Sequence, residues 1–143
     1  MTNNVESDSA VLHEEGFVNF FIAKQHRDRL AFELQKRRGD FLNRFCHNAL
    51  DYLDPRFVVK VPKQNAIPTD IFRELQRLEA PESCFAISMS NDIDRQSLPL
   101  ADALSIAFGL GLPSILSCRP GELAYLETEQ EAGPPDRFIL FRQ

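Results

Sequence analysis

Three β-prone runs, Ser114–Cys118, Leu123–Thr128 and Arg137–Arg142, follow one another with only short connections between them. Parallel neighbours need a crossover of about a dozen residues or more, so these strands must pair antiparallel. Pro120-Gly121 makes the first turn, and Gly133-Pro134-Pro135-Asp136 makes the second. Any fold for this chain therefore has to house an antiparallel sheet at its C-terminal end.

Helical periodicity dominates further upstream. Leu30 and Leu34 lie four apart with Ala31 beside them, and Lys36-Arg37-Arg38 precedes Gly39. Cations complement the dipole of a last helical turn, and glycine suits the left-handed residue beyond it. Asp40 is placed to cap a following helix. In that helix Phe41, Phe45 and Ala49 recur at i, i+4 and i+8, with Leu42, Leu50 and Leu53 alongside. Asp54-Pro55 ends it. The spacing predicts an αα pair over Lys24–Arg38 and Phe41–Leu53.

Phe17–Ile22 is short and aromatic and reads as a strand after the breaker Gly16, whereas the polar residues 1–15 read as a flexible arm. Phe57–Val61 is a short edge strand between Pro55 and Pro62. Thr69 can cap a helix over Asp70–Glu79, striped by Ile71, Phe72, Leu75 and Leu78. Cys84–Met89 is a buried strand and Ser90–Ser97 a polar loop. Ser97 can cap a helix over Leu98–Phe108 that is apolar nearly all round. That last helix belongs in the core centre or in a subunit contact. It can also complete a right-handed βαβ crossover between the Cys84 and Cys118 strands.

The expected fold is α+β. It has a mixed or mostly antiparallel sheet of four to six strands, an N-terminal αα pair and two further helices. The order is β-α-α-β-α-β-α-β-β-β, with the helices packed on one face of the sheet. Residues 16–143 fit a single domain, and no repeat or low-complexity segment interrupts them. Twelve Phe and no Trp supply an apolar core without polar ring atoms.

Composition narrows the function classes. No apolar run reaches the roughly 18 residues of a membrane span, so a soluble chain without membrane contact is expected. Met1–Glu15 lacks the basic start and apolar stretch of a signal peptide, which makes the cytoplasm the expected compartment. Cys46, Cys84 and Cys118 are odd in number and widely spaced, which argues against a disulfide framework or a paired-cysteine zinc site. Charge is segregated: residues 1–23 carry −4, residues 24–63 carry +5, and residues 64–143 carry −6, for a total of −5. An acidic chain is a poor general nucleic-acid ligand, although a local basic face remains open to one.

Four groups are candidate sites. Asp92, Asp94 and Arg95 lie in a loop between a strand end and a helix start, where ligands collect in α/β arrangements. Two carboxylates at i and i+2 can hold a hard cation, but Asn and Asp also simply favour turns. Cys118 beside Arg119 can be a thiol of lowered pKa, or a buried structural cysteine. Cys46-His47 with Asp51 offers at most half of a metal site, and a surface or capping role fits His47 better. The basic set Lys24, Arg27, Arg29, Lys36, Arg37, Arg38 and Arg44 is a candidate anion or nucleic-acid face. Interleaved Asp28, Glu33 and Asp40 can neutralise much of it.

No Walker loop, G-x-G-x-x-G, H-E-x-x-H or G-x-S-x-G occurs. No metal and no cofactor is expected. The leading expectation is a non-enzymatic binding or regulatory module that associates with itself as a homodimer or with a protein partner. A small enzyme or ligand-binding protein using the 90–95 loop with Cys118 and Arg119 is the alternative. Nucleic-acid binding by the basic first helix ranks third.

Overall fold

In the computed structural model, residues 2–110, 112–128 and 135–143 are described. Four helices come first: α1 Thr2–Phe21, α2 Arg27–Lys36, α3 Arg38–His47 and the short α4 Ala49–Tyr52. Strand β1 Val58–Lys60 and helix α5 Pro68–Arg77 follow. Then come β2 Ser83–Ser88, β3 Ser97–Pro99, α6 Leu100–Leu110, β4 Ser114–Arg119, β5 Leu123–Glu127 and β6 Arg137–Phe141. The six strands form one sheet in the order β1-β6-β5-β4-β2-β3, and every pairing is antiparallel. The α+β class and the antiparallel C-terminal sheet agree with the sequence reading. The turn expected at Gly133–Asp136 lies largely outside the described residues.

Side chains alternate across the sheet as the pleat requires. Phe85, Ile87, Ile115, Leu126, Phe138 and Leu140 pack with Phe17, Phe21, Leu30, Leu34, Phe41 and Phe45 of the first helices. Cys84, Ala86, Leu116, Leu123, Tyr125 and Ile139 pack with Ile71 and Leu75 of α5 and with Leu100, Ala103 and Leu104 of α6. Helices therefore cover both faces, not the single face expected. The continuous burial of Ser114–Cys118 and Leu123–Thr128 carries that information, because a sheet with one wet face alternates instead.

Several elements depart from the local reading. Phe17–Ile22 is the end of α1 and the start of its exit, not a strand. Phe17, Val18 and Phe21 form a helical stripe, and Phe17 meets Phe45 edge-on at 5.6 Å. Residues 1–15, expected as an arm, lie within α1 from Thr2 onward. The predicted first helix divides into a 3₁₀ turn at Lys24–His26 and α2. Arg37 closes α2 by donating to Glu33 O and opens α3 by accepting from Phe41 N, so Asp40 falls inside α3 and does not cap it. Asn48 interrupts the Phe41–Leu53 stripe between α3 and α4.

Ser97 lies in β3 instead of capping a helix. The β2–β3 hairpin reverses the chain before α6, so β2 and β4 pair antiparallel and no βαβ crossover forms. Within α6, Leu100, Ala103, Leu104 and Ala107 are buried, while Ala101, Asp102, Ser105 and Ile106 face out. The helix is amphipathic, and its core face is satisfied within the domain.

Gly16 acts by close approach and not as a breaker. A Cβ there would lie 2.8 Å from Gly121 N and 3.0 Å from Pro120 C. Gly121 itself has φ of +69°, in the left-handed region that favours glycine. The pair lets α1 rest on the β4–β5 turn.

Candidate functional site

The structure splits the first candidate constellation. Ser88 pairs with Ser114 and Phe85 with Ser117, so the 90–95 loop leaves β2 at its Ser88 end while Cys118 falls level with Cys84 near the Ser83 end. Asp92 and Asp94 are thus set toward the Ser88 end of β2, the Arg95 N–H folds back to donate to Ala86 O at 2.9 Å, and Cys118 lies on the far side of β2 in β4.

Asp94 of that loop meets Arg38 of the basic set. Arg38 Nε donates to Asp94 Oδ2 at 2.8 Å and Nη2 donates to Oδ1 at 3.0 Å, a bidentate fork. Arg38 Nη1 also donates to Glu14 Oε2, and Asp94 Oδ1 accepts from Ser88 N at 2.9 Å. One guanidinium thus ties α1, α3 and the loop together. A cleft of about 490 Å³ opens beside it, lined in part by Arg38, Asn91, Asp94 and Arg95. Asp92 is exposed, and its N–H donates to Ser90 Oγ at 3.3 Å in a side-chain turn. Asp94 is committed to structure.

Cys118 lies against Cys84, and both thiols are free and buried. Burial pushes Cys84 up to about 12. Burial also raises Cys118, and the neighbouring Cys84 adds to the effect, which outweighs Arg119. Such thiols do not supply a thiolate at neutral pH. Arg119 donates to Leu78 O at 3.2 Å and to Glu122 Oε2 at 3.0 Å. Cys46 is buried and His47 exposed.

A polar row that the sequence reading missed crosses the α5/α6 face of the sheet. Ser88, Ser114, Glu127 and Arg137 are consecutive register partners on β2, β4, β5 and β6. The two hydroxyls are 2.7 Å apart. Glu127 Oε1 accepts from Tyr125 O–H at 3.0 Å and from Arg137 Nε at 3.1 Å. The Arg137 guanidinium lies 4.0 Å over the Phe108 ring. Burial raises the Glu127 pKa against the pull of Arg137 and Tyr125. The available signal was one acid and one base at facing ends of two apolar strands.

Three of the seven residues of the basic set do converge. Arg29, Phe32, Glu33, Arg37, Asp40 and Arg44 line a cavity of about 210 Å³ between α2 and α3. Glu33 is 5% exposed. Its Oε1 lies 3.4 Å from Arg29 Nε and 3.1 Å from Arg44 Nε. The Arg44 contact is an ion pair without hydrogen-bond alignment. Arg37 reaches Asp40 at 3.9 Å. Arg38 points away into its carboxylates, and Lys36 does not line the cavity.

An opening of about 1100 Å³ lies between α5 and the β1–β6 edge. Val59, Val61, Ile71, Leu78, Ile139 and Phe141 give it an apolar wall, and Arg73 and Arg77 stand on the helix side. Both arginines pair within α5, with Asp70 and Glu74.

Among the described residues no helix is long and apolar enough to cross a membrane. Nor do any three His, Cys, Asp or Glu side chains there group to hold a metal ion. Comparison with protein-family models, curated proteins and solved structures finds no match for this chain.

Proposed function

We propose that this chain is a non-enzymatic binding module that self-associates, with the α5/β1–β6 groove and the adjoining β1 edge as its contact surface. The observation that carries this reading is the exposed apolar edge: Val59 is 61% exposed on a strand with one partner. Val61 N donates to Arg137 O at 2.9 Å, so Val59 and Val61 turn their backbone groups toward β6. By alternation, Val58 and Lys60 present theirs to the open side.

A second β1 approaching about a two-fold axis is self-complementary there. Val58 meets Lys60 of the other copy twice, and the two Val59 side chains face each other. Short strands, lysines and prolines normally blunt sheet edges. Here Lys60 is drawn aside by Asp136 at 3.4 Å, and Pro62 lies beyond the paired segment. The groove then continues across the joint and offers an apolar bed to a further partner.

The chemistry of the other candidates supports binding over catalysis. The Cys84 and Cys118 thiols are held protonated, and Asp94 is occupied by Arg38. Three reduced, buried cysteines are in keeping with the cytoplasm.

Sedimentation velocity across the micromolar range tests the reading. The wild-type chain should form a dimer, and Val59→Lys should be a folded monomer. A wild-type monomer at every concentration, or an unchanged dimer in the variant, sinks the proposal.

A further inference from the structure

We infer that the two clefts flanking α2 form one docking site for an acidic amphipathic helix of a partner protein. The site lies with α1–α3 on the sheet face opposite α5, apart from the β1 contact surface. Phe32 lines both clefts and is 57% exposed, so it stands as their shared wall. Aromatic and arginine side chains together are what interface centres are rich in.

The α1–α2 cleft, about 470 Å³, is apolar where Val18 and Leu34 are buried beneath it and where Val11 is 49% exposed. That volume falls in the range of ligand clefts, roughly 300–1,000 Å³. Val11 and Phe32 leave apolar area in water that a partner's side chains can cover. Of the two acids lining the cleft, Glu15 is exposed on α1 and Glu14 is held by Arg38.

On the other side of α2 the charge changes sign. Arg29, Arg37 and Arg44 outnumber Glu33 and Asp40 around the second cavity, and exposed Lys36 on α2 adds to the excess. The Arg29 and Arg37 side chains are 67% and 68% exposed, in ion pairs of 3.4 and 3.9 Å. Pairs so long and so wet are weak, so a partner's carboxylates can join or displace them. This polarity defines the occupant: apolar side chains toward α1, where Glu15 repels acids, and carboxylates toward α3. A helix with apolar residues at i, i+3 and i+4 and Asp or Glu on the neighbouring side meets both conditions while lying along α2. A nucleic acid gains only the arginine side, since it has no aliphatic side chains for the α1–α2 cleft.

The experiment selects on the purified full chain from a displayed library of random peptides of about 16 residues, long enough to span α2 as a helix. Enriched peptides should carry apolar residues at helical spacing beside Asp or Glu. Fluorescence anisotropy then gives their affinity for wild type, Phe32→Ala and the double variant Arg29→Glu/Arg37→Glu. Each substitution alters an exposed side chain, and backbone-amide NMR checks that the variants are folded. Both variants should bind at least about tenfold more weakly, about 1.4 kcal/mol, and the peptide should shift amides of α1–α3. Failure to enrich any peptide, enrichment of basic or unpatterned peptides, or unchanged affinity in either variant overturns the inference. So do amide shifts confined to α5 and β1, or tighter binding of an oligothymidine than of any enriched peptide. Phe32→Ala should sediment as wild type does. A smaller species there would seat a second copy of this chain on α2 and would also overturn the inference.

Discussion

Arg137 Nε donates to Glu127 Oε1 across the β5–β6 pair at 3.1 Å, and neither residue is more than 8% exposed. Breaking a buried pair by removing one partner strands the other charge and costs about 3–5 kcal/mol. Arg137→Ala should therefore lower the denaturant midpoint sharply. Glu127→Gln keeps the shape and an acceptor for Arg137 Nε but leaves the buried guanidinium without its counter-charge, so it should also destabilise. Because burial raises the Glu127 pKa, the folded state holds this proton more tightly than the unfolded chain does. Its contribution to stability falls as pH rises from the ordinary carboxylate range through the raised value. Chemical melts over that range should show the fall in wild type and a flatter profile in Glu127→Gln.

Arg38 joins Glu14 and Asp94, which belong to elements far apart in sequence. Arg38→Ala should destabilise by about 3 kcal/mol, since it leaves two largely buried carboxylates facing each other. Arg38→Lys should recover little, because a point ammonium does not reproduce the bidentate fork. Hydrogen exchange should locate the loss in the 88–95 loop and α1. Unchanged protection there would contradict the tie.

His13 stacks on Phe85 with ring centres 5.5 Å apart, and its Nδ1 is hydrogen-bonded to Ser117 Oγ at 2.6 Å. Burial lowers its pKa from the ordinary value of 6.5. The unfolded chain then takes up this proton more readily, so the contribution is complete above 6.5 and is lost as pH falls through the folded value. Thermal unfolding between pH 8 and about 5 should show that decline. The decline should shrink in His13→Gln.

Gly16→Ala would raise helix propensity by about 1 kcal/mol at an ordinary helical site. Here the added methyl meets Gly121 N at 2.8 Å, backbone that has no rotamer with which to yield. Overpacking of about 1–3 kcal/mol should dominate, lowering Tm. A variant as stable as wild type would mean that α1 shifts freely on the β4–β5 turn.

How much was legible in the sequence follows from how far each signal reaches. The Phe41/Phe45 stripe, the α5 stripe of Ile71 and Leu75, and the closing strands repeat within a few residues. Local periodicity and short turns therefore determined these elements, the antiparallel sheet and the α+β class. Phe17–Ile22 was ambiguous because a short aromatic run satisfies either period, and contact with Phe45 on α3 selects the helix. Arg38–Asp94, the Ser88–Ser114–Glu127–Arg137 row and the cavity around Glu33 bring together groups from separate segments. Composition located the basic segment, but only tertiary packing separated Arg38, which turns inward to carboxylates, from Arg29, Arg37 and Arg44, which surround a common space. Strand register and helix docking, set by burial of the whole core, decide such meetings.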